Sequence, residues 1–294
     1  MRAETGKKKR NGSLRSALLL GVIFGIMLVV CQELIYQYSV LRQYEESNHF
    51  VTSVPKPALP APPLPSAMWL GDPPPEPDAA VNDGTPPGYR YLADSNTVFI
   101  DIGDAELPID FAELKSINGD FTGWFVIPGT DISYPVVQGS DNSFYLNHIF
   151  DGSYSMVGAL FADFRNVMLS DENTIIYGHN FHRFGAMFSK LIYYEGQEYY
   201  DAHPVMYYLT EDGGYRIEIF SVYEASTSDP IYTLTFATDA EYAAFLSHVA
   251  SKSAIVPSVS AATTQDRVIT LSTCSNKDPD GRFVVVGKIV PFSR

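Results

Sequence analysis

Cys274 ends the run RVITLSTC (Arg267–Cys274), and Arg282 opens the run RFVVVGKIV after the seven-residue loop SNKDPDG. Both runs read as strands. Paired as a hairpin, the end of the first lies beside the start of the second. Cys274 and Arg282 are then expected as neighbours at one rim of a sheet. A guanidinium there donates hydrogen bonds to a developing oxyanion and cannot lose its charge. It also favours the thiolate, the reactive form of cysteine.

A cysteine nucleophile usually works with a base or an imidazolium. The chain has six histidines: His49, His148, His179, His182, His203 and His248. His49 precedes a Pro-rich stretch, His148 and His203 lie in polar loop-like segments, and His248 is expected on the solvated face of a helix. His179 ends the strand-like NTIIYG and opens the loop HNFHRFG, so it is the favoured partner, with His182 as its competitor. Spacing alone leaves ordinary readings open: a lone buried Cys is often a core residue, and an Arg opening a strand is often a solvated one. No H-E-x-x-H or C-x-x-C pattern accompanies the histidines, so neither metal nor cofactor is expected.

These residues need a scaffold. From about Tyr89 to the C-terminus the composition is globular, giving one domain over 89–294. Its strand-like runs are Thr97–Ile102, Trp124–Ile127, Tyr134–Val137, Ala159–Phe161, Thr174–Tyr177, Val205–Tyr208, Tyr215–Tyr223, Val268–Cys274 and Phe283–Val290. One clear helix is expected from Asp239 to Ser251, with Thr238 and Glu241 as a capping box and an apolar stripe of Tyr242, Phe245, Leu246 and Val249. Phe111–Ile117 is a second, shorter candidate. Many short strands and few helices indicate a mainly β barrel or sandwich.

The N-terminal part is a different material. Residues 1–15 hold six cations against Glu4, leaving 14 cations against 33 acids in the rest. So acidic a remainder argues against nucleic-acid binding. Ser16–Cys31 carries no charge, and extension through Tyr36 reaches the length of a membrane span. The expected layout is a basic cytoplasmic segment over 1–15, an uncleaved signal anchor over 16–36, and the rest outside. A cleaved signal lacks a small-x-small site, and a lipoprotein signal using Cys31 would follow Val30, which is not small. Cys31 and Cys274 are expected in different surroundings, which argues against a disulfide. Residues 37–88 form the expected stalk, and twelve of the chain's twenty prolines lie in 51–88. At about 3.1 Å per residue as polyproline II this is a long spacer; a plain disordered linker fits equally.

The segments TLSTC (Thr270–Cys274), RFVVVGKIV and NTIIYGHNF (Asn173–Phe181) resemble the nucleophile, arginine and histidine strands of the sortase family, class B. GWFVIPGTDISYPVVQGSDNSFYL (Gly123–Leu146) and GALFADFRN (Gly158–Asn166) extend the similarity across 110–290. The resemblance implies a closed eight-stranded sortase β-barrel with a few short helices. It also implies a cysteine transpeptidase cleaving C-terminal sorting signals after Thr through a Cys274 thioester. A peptidoglycan amine would resolve the thioester, with His179 moving the protons and Arg282 steadying the oxyanion. Asn142 and Leu146 take the places of peptide-contacting residues in the family, although a turn role for Asn142 and a core role for Leu146 stand beside this. Ser272 and Thr273 are expected to line the groove. The helix over Asp239–Ser251 fits the helix that class B members insert before the nucleophile strand. A pilin polymerase, a hydrolytic endopeptidase and a tethered non-enzymatic domain are the competing functions.

Overall fold

The computed structural model describes residues 27, 29, 32, 35, 38, 39, 42 and 86, and 88–292 apart from 93–96, 102–105, 182–184, 276, 278 and 279. The chain divides into two units, Met1–Glu46 and Ser47–Arg294. The seven described residues of the first unit are helical. Among the described residues no helix is long and apolar enough to cross a membrane. The expected basic segment, most of the expected anchor and nearly all of the Pro-rich stretch lie outside the described residues, as do His49 and His182.

Among the described residues the second unit contains thirteen strands. Three of them, β1 (Arg90–Leu92), β2 (Thr97–Asp101) and β3 (Glu106–Asp110), form a small antiparallel sheet. Helix α1 (Phe111–Ile117) follows, opened by the Asp110 carboxylate accepting from Glu113 N at 2.9 Å. Next come β4 (Phe121–Val126), β5 (Ser133–Val137), β6 (Leu160–Ala162) and β7 (Asn173–Tyr177). A two-stranded ribbon, β8 (Asn180–Phe181) and β9 (Ala186–Met187), precedes the short helix α2 (Gln197–Ala202). Then follow β10 (Val205–Thr210), β11 (Gly213–Ser226), helix α3 (Asp239–Ser251), β12 (Val268–Cys274) and β13 (Gly281–Phe292).

Eight of the strands close into a barrel in the order β10-β11-β13-β12-β7-β6-β5-β4, with β4 pairing back to β10. This is the mainly β, closed eight-stranded architecture expected. All neighbours are antiparallel except β5 with β6 and β7 with β12. The sequence runs did not mark β1, β3, the β8–β9 ribbon or α2, which are all short; β3 alternates Leu107 and Ile109, but Pro108 between them weakens its reading as a strand.

Two apolar layers cover the outside of the barrel. The small sheet and α1 place Val98, Ile100, Leu107, Ile109, Phe111 and Leu114 against Trp124, Tyr207 and Phe292. On another face α3 lays Tyr242, Phe245, Leu246 and Val249 over Phe220, Val268, Val284 and Val286. Each such side chain contributes about 1.5–3 kcal/mol of burial. Strands covered on both faces need no polar alternation, which explains runs such as FVVV. In the cap of α3, Glu241 N donates to Thr238 Oγ1 at 3.2 Å, while Glu241 Oε2 accepts from Ala237 N at 3.1 Å, one residue before the N-cap.

Candidate active site

The barrel places β7, β12 and β13 side by side. Antiparallel pairing sets Cys274 opposite Arg282, and parallel pairing sets Ser272 opposite Tyr177. Cys274 lies two residues beyond Ser272 at the end of β12, and His179 lies two residues beyond Tyr177, just past the end of β7, where Gly178 N donates to Ser272 O at 3.2 Å. Neighbouring strands run about 4.8 Å apart, so the three residues share one layer at the rim. Cys274 is exposed and unbridged. Ser275 N donates to Gly281 O at 3.1 Å, closing the hairpin, and Arg282 Nη1 donates to Gly281 O at 2.8 Å.

The His179 ring is held by the backbone of the next loop. Its Nε2 lies 2.6 Å from Leu146 O. A carbonyl only accepts, so Nε2 carries the hydrogen and Nδ1 is the nitrogen left for proton exchange. Gly158 makes this contact possible. Its φ is +65°, and a Cβ there would lie 2.6 Å from Tyr145 O, 2.9 Å from Leu146 O and 3.0 Å from His179 Cδ2. Asn180 ties the two strands together, its Nδ2 donating to Cys274 O at 2.9 Å.

Beneath this layer lies a second one. Tyr177 and Ser272 pair in register, and the Tyr232 ring stacks near Tyr177 with centroids 6.5 Å apart. The Tyr232 and Ser272 hydroxyls are 3.0 Å apart. Burial is the largest influence raising the Tyr232 hydroxyl pKa above its ordinary value, and both Arg282 and Cys274 act on it electrostatically. Tyr177 donates to Asp163 Oδ2 at 2.9 Å. Asp163 is fully buried and also takes Arg165 Nε at 2.9 Å and Nη2 at 2.7 Å. Burial alone would raise this carboxyl, but the bonds from Arg165, Tyr177 and Asn142 outweigh it and hold it below the usual carboxylate range.

The remaining sequence candidates divide. Leu146 is 42% exposed, so it is no core residue. Asn142 joins its turn to the next loop, accepting from Phe164 N at 3.0 Å. The expectation that Ser272 and Thr273 line the groove needs correction, since each is 2% exposed. Ser272 is covered by Tyr232, and Thr273 lies on the opposite face of β12 from Cys274 because strand side chains alternate. His248 lies at the edge of the solvated face, a third exposed, with its Nε2 3.2 Å from the buried Asp229 carboxylate. His148 stacks on Phe144 with centroids 3.9 Å apart, and His203 Nδ1 bonds Pro128 O at 3.0 Å. Among the described residues no cluster of three or more His, Cys, Asp or Glu side chains is placed to hold a metal ion.

Sequence reading missed Tyr177, Tyr232, Asp163, Asn180 and the role of Gly158. Only Tyr232 left a local signal: Asp229-Pro230 is an N-cap followed by proline at the first helical position.

A sortase domain model matches residues 125–290. Sortase B of Listeria monocytogenes is 36% identical over 203 residues, 68% of this chain and 80% of that protein. Sortase B of Staphylococcus aureus is 37% identical over 186 residues, 62% and 75% of the two chains. A solved S. aureus sortase B–substrate complex superposes with a TM-score of 0.59 at 37% identity, covering 63% of this chain and 86% of that one. With its barrel and its Cys–His–Arg rim, this chain belongs to the sortase family of cysteine transpeptidases, in class B.

Proposed function

We propose that this enzyme cleaves a C-terminal sorting signal after threonine and transfers the shortened protein to a peptidoglycan amine. The observation that carries the reading is the pairing of Cys274 with Arg282 across β12 and β13, with His179 just past the end of the adjoining strand β7. The relative solved as a sortase B–substrate complex supports it. The Cys274 thiolate attacks the threonine carbonyl carbon, and Arg282 stabilises the oxyanion. The C–N bond breaks, the leaving nitrogen takes a proton from His179, and a thioester remains. An incoming amine then attacks the thioester, gives a proton to His179 and releases the thiolate. One amide is exchanged for another, with no net oxidation. Leu146 and Asn142 are assigned to the bound peptide, consistent with the exposed side chain of Leu146, whose own carbonyl bonds His179.

The basic segment 1–15 and apolar run 16–36 support a single membrane anchor, with the catalytic unit on the wall side. Deleting 1–36 is expected to move the protein from the membrane fraction to the soluble one; retention in membranes would remove the anchor from this reading.

The test of the chemistry is intact mass spectrometry of the full chain with sorting-motif peptides, with and without an amine. A peptide-sized adduct that needs Cys274 and passes to the amine is the expected result. Release to water alone would make the enzyme an endopeptidase. Transfer only to a lysine of another substrate protein would make it a pilin polymerase.

A further inference from the structure

Besides Asp163, a second carboxylate, Asp229, reaches the layer beneath Cys274 through the turn that carries Tyr232. Asp229 follows β11 and has a side chain only 3% exposed. Its Oδ1 accepts from Ile231 N at 3.0 Å and from the Tyr223 hydroxyl at 3.3 Å, and lies 3.2 Å from His248 Nε2. Its Oδ2 takes Lys252 Nζ at 3.0 Å. Four donors from three places thus meet on one buried group. Ile231 belongs to the turn Pro230–Tyr232, which Asp229 caps. Tyr223 lies on β11, while His248 lies in α3 and Lys252 is the residue that caps its end.

The turn delivers Tyr232 to Ser272 and Tyr177, the pair one step below Cys274 and His179. The turn is only three residues long: Thr233 N donates to Pro230 O at 2.9 Å within it, and Asn173 of β7 ties its far end, Nδ2 donating to Ile231 O at 2.7 Å and Thr233 O at 2.9 Å. The cap at Asp229 is what ties the turn's leading end to α3. Helix α3 is fastened in turn by its apolar stripe and by Ser221, whose hydroxyl donates to Val249 O at 2.7 Å. Barrel, helix and turn therefore converge at Asp229.

We infer that Asp229 is a positioning residue for the transpeptidation: it locks the Pro230–Tyr232 turn to α3 and so sets the floor on which the acyl group is seated beside Cys274. The inference rests on the proposed function, and the carboxylate itself touches no reacting atom. Helix α3 acts as the strut that lets a three-residue turn hold a tyrosine in place.

The test compares full-length wild type, Asp229→Ala and Asp229→Asn. Asparagine keeps an acceptor for Ile231 N, whereas alanine keeps none. In a crystal structure of the alanine protein, Tyr232 Oη and Ser272 Oγ are expected to part beyond about 3.5 Å. The kcat/KM for the sorting peptide should fall about 10- to 100-fold, as misplacement of a positioning group does, and mainly through KM. Alkylation of Cys274 by iodoacetamide should stay within about twofold, because the strand register holding Cys274 is untouched. The asparagine protein should recover most of the loss. An unmoved Tyr232, or a moved Tyr232 with unchanged kcat/KM, would overturn the inference. So would a fall in kcat alone with fewer alkylatable sites, which marks general loss of fold. A wild type inert to every peptide would sink the functional reading and this inference with it, a pattern distinct from an active wild type and an equally active alanine protein.

Discussion

A single hydrogen atom on Gly158 decides how closely two loops approach the His179 ring. An alanine there must adopt φ near +65°, and its methyl group would press on two carbonyl oxygens and the imidazole edge. The left-handed conformation alone costs about 1–2 kcal/mol for an L-residue. Gly158→Ala is therefore expected to lower the melting temperature by several degrees. It should also reduce kcat/KM at least about tenfold by shifting Leu146 O away from Nε2. Calorimetry and peptide kinetics on the same preparation check both; full activity at unchanged stability would show that the carbonyl contact does no work. Neither Gly158 nor Asn180 was readable as part of the site, because each acts on a partner distant in sequence. Asn180 and the Cys274 carbonyl it bonds are 94 positions apart. Cys274, Arg282 and His179 stood out in the sequence because each lies at or next to a strand end, and a strand end is a local feature. Ser272 and Thr273 were misjudged by proximity to the nucleophile. Adjacency along a strand puts one neighbour on the other face, and the next residue on the same face lies one layer down.

At the scale of elements, helix α3 was legible in full, from Thr238 to Ser251, because its stripe and cap both lie within the helix and its N-terminal flank. Its function was not legible, since that depends on where its C-terminal end meets Asp229. The cap gives a separable measurement. Thr238→Ala removes the acceptor for Glu241 N and should cost about 1 kcal/mol. Because the apolar stripe and the Asp229 contacts remain, peptide kinetics should change by less than about twofold. A stability loss near zero in denaturant titration would mean that the Glu241 carboxylate and solvent already satisfy this end. The β12–β13 hairpin was predicted from its two runs alone. The parallel pairing of β12 with β7, which brings His179 into the layer, needs a third strand about ninety residues upstream and has no local signature.

Across the whole molecule, two buried carboxylates brace the layer below Cys274, Asp163 through Tyr177 and Asp229 through the turn carrying Tyr232. Burial acts to raise the Asp229 carboxyl, but Ile231 N, Lys252 and His248 outweigh it and hold it below its ordinary value, as happens at Asp163. An unfolded aspartate titrates near 3.9. The unfolded chain therefore takes up protons before these two groups do. Their contribution to stability is fully present above about pH 4 and is lost as the pH falls through their depressed folded values. Meanwhile the acids that give the chain its net charge of −14 become neutral and leave 20 Lys and Arg unopposed, which adds repulsion in the same direction. Melting temperature should be flat from neutral pH to about 5 and should fall steeply below about 4. The Asp163→Asn protein should melt lower at pH 7, having lost the charge-assisted bonds from Arg165, and its curve should fall less steeply on acidification, having one fewer linked proton. Parallel curves for wild type and variant through the acid limb would show that Asp163 does not titrate with folding and that the acid response comes from elsewhere in the chain.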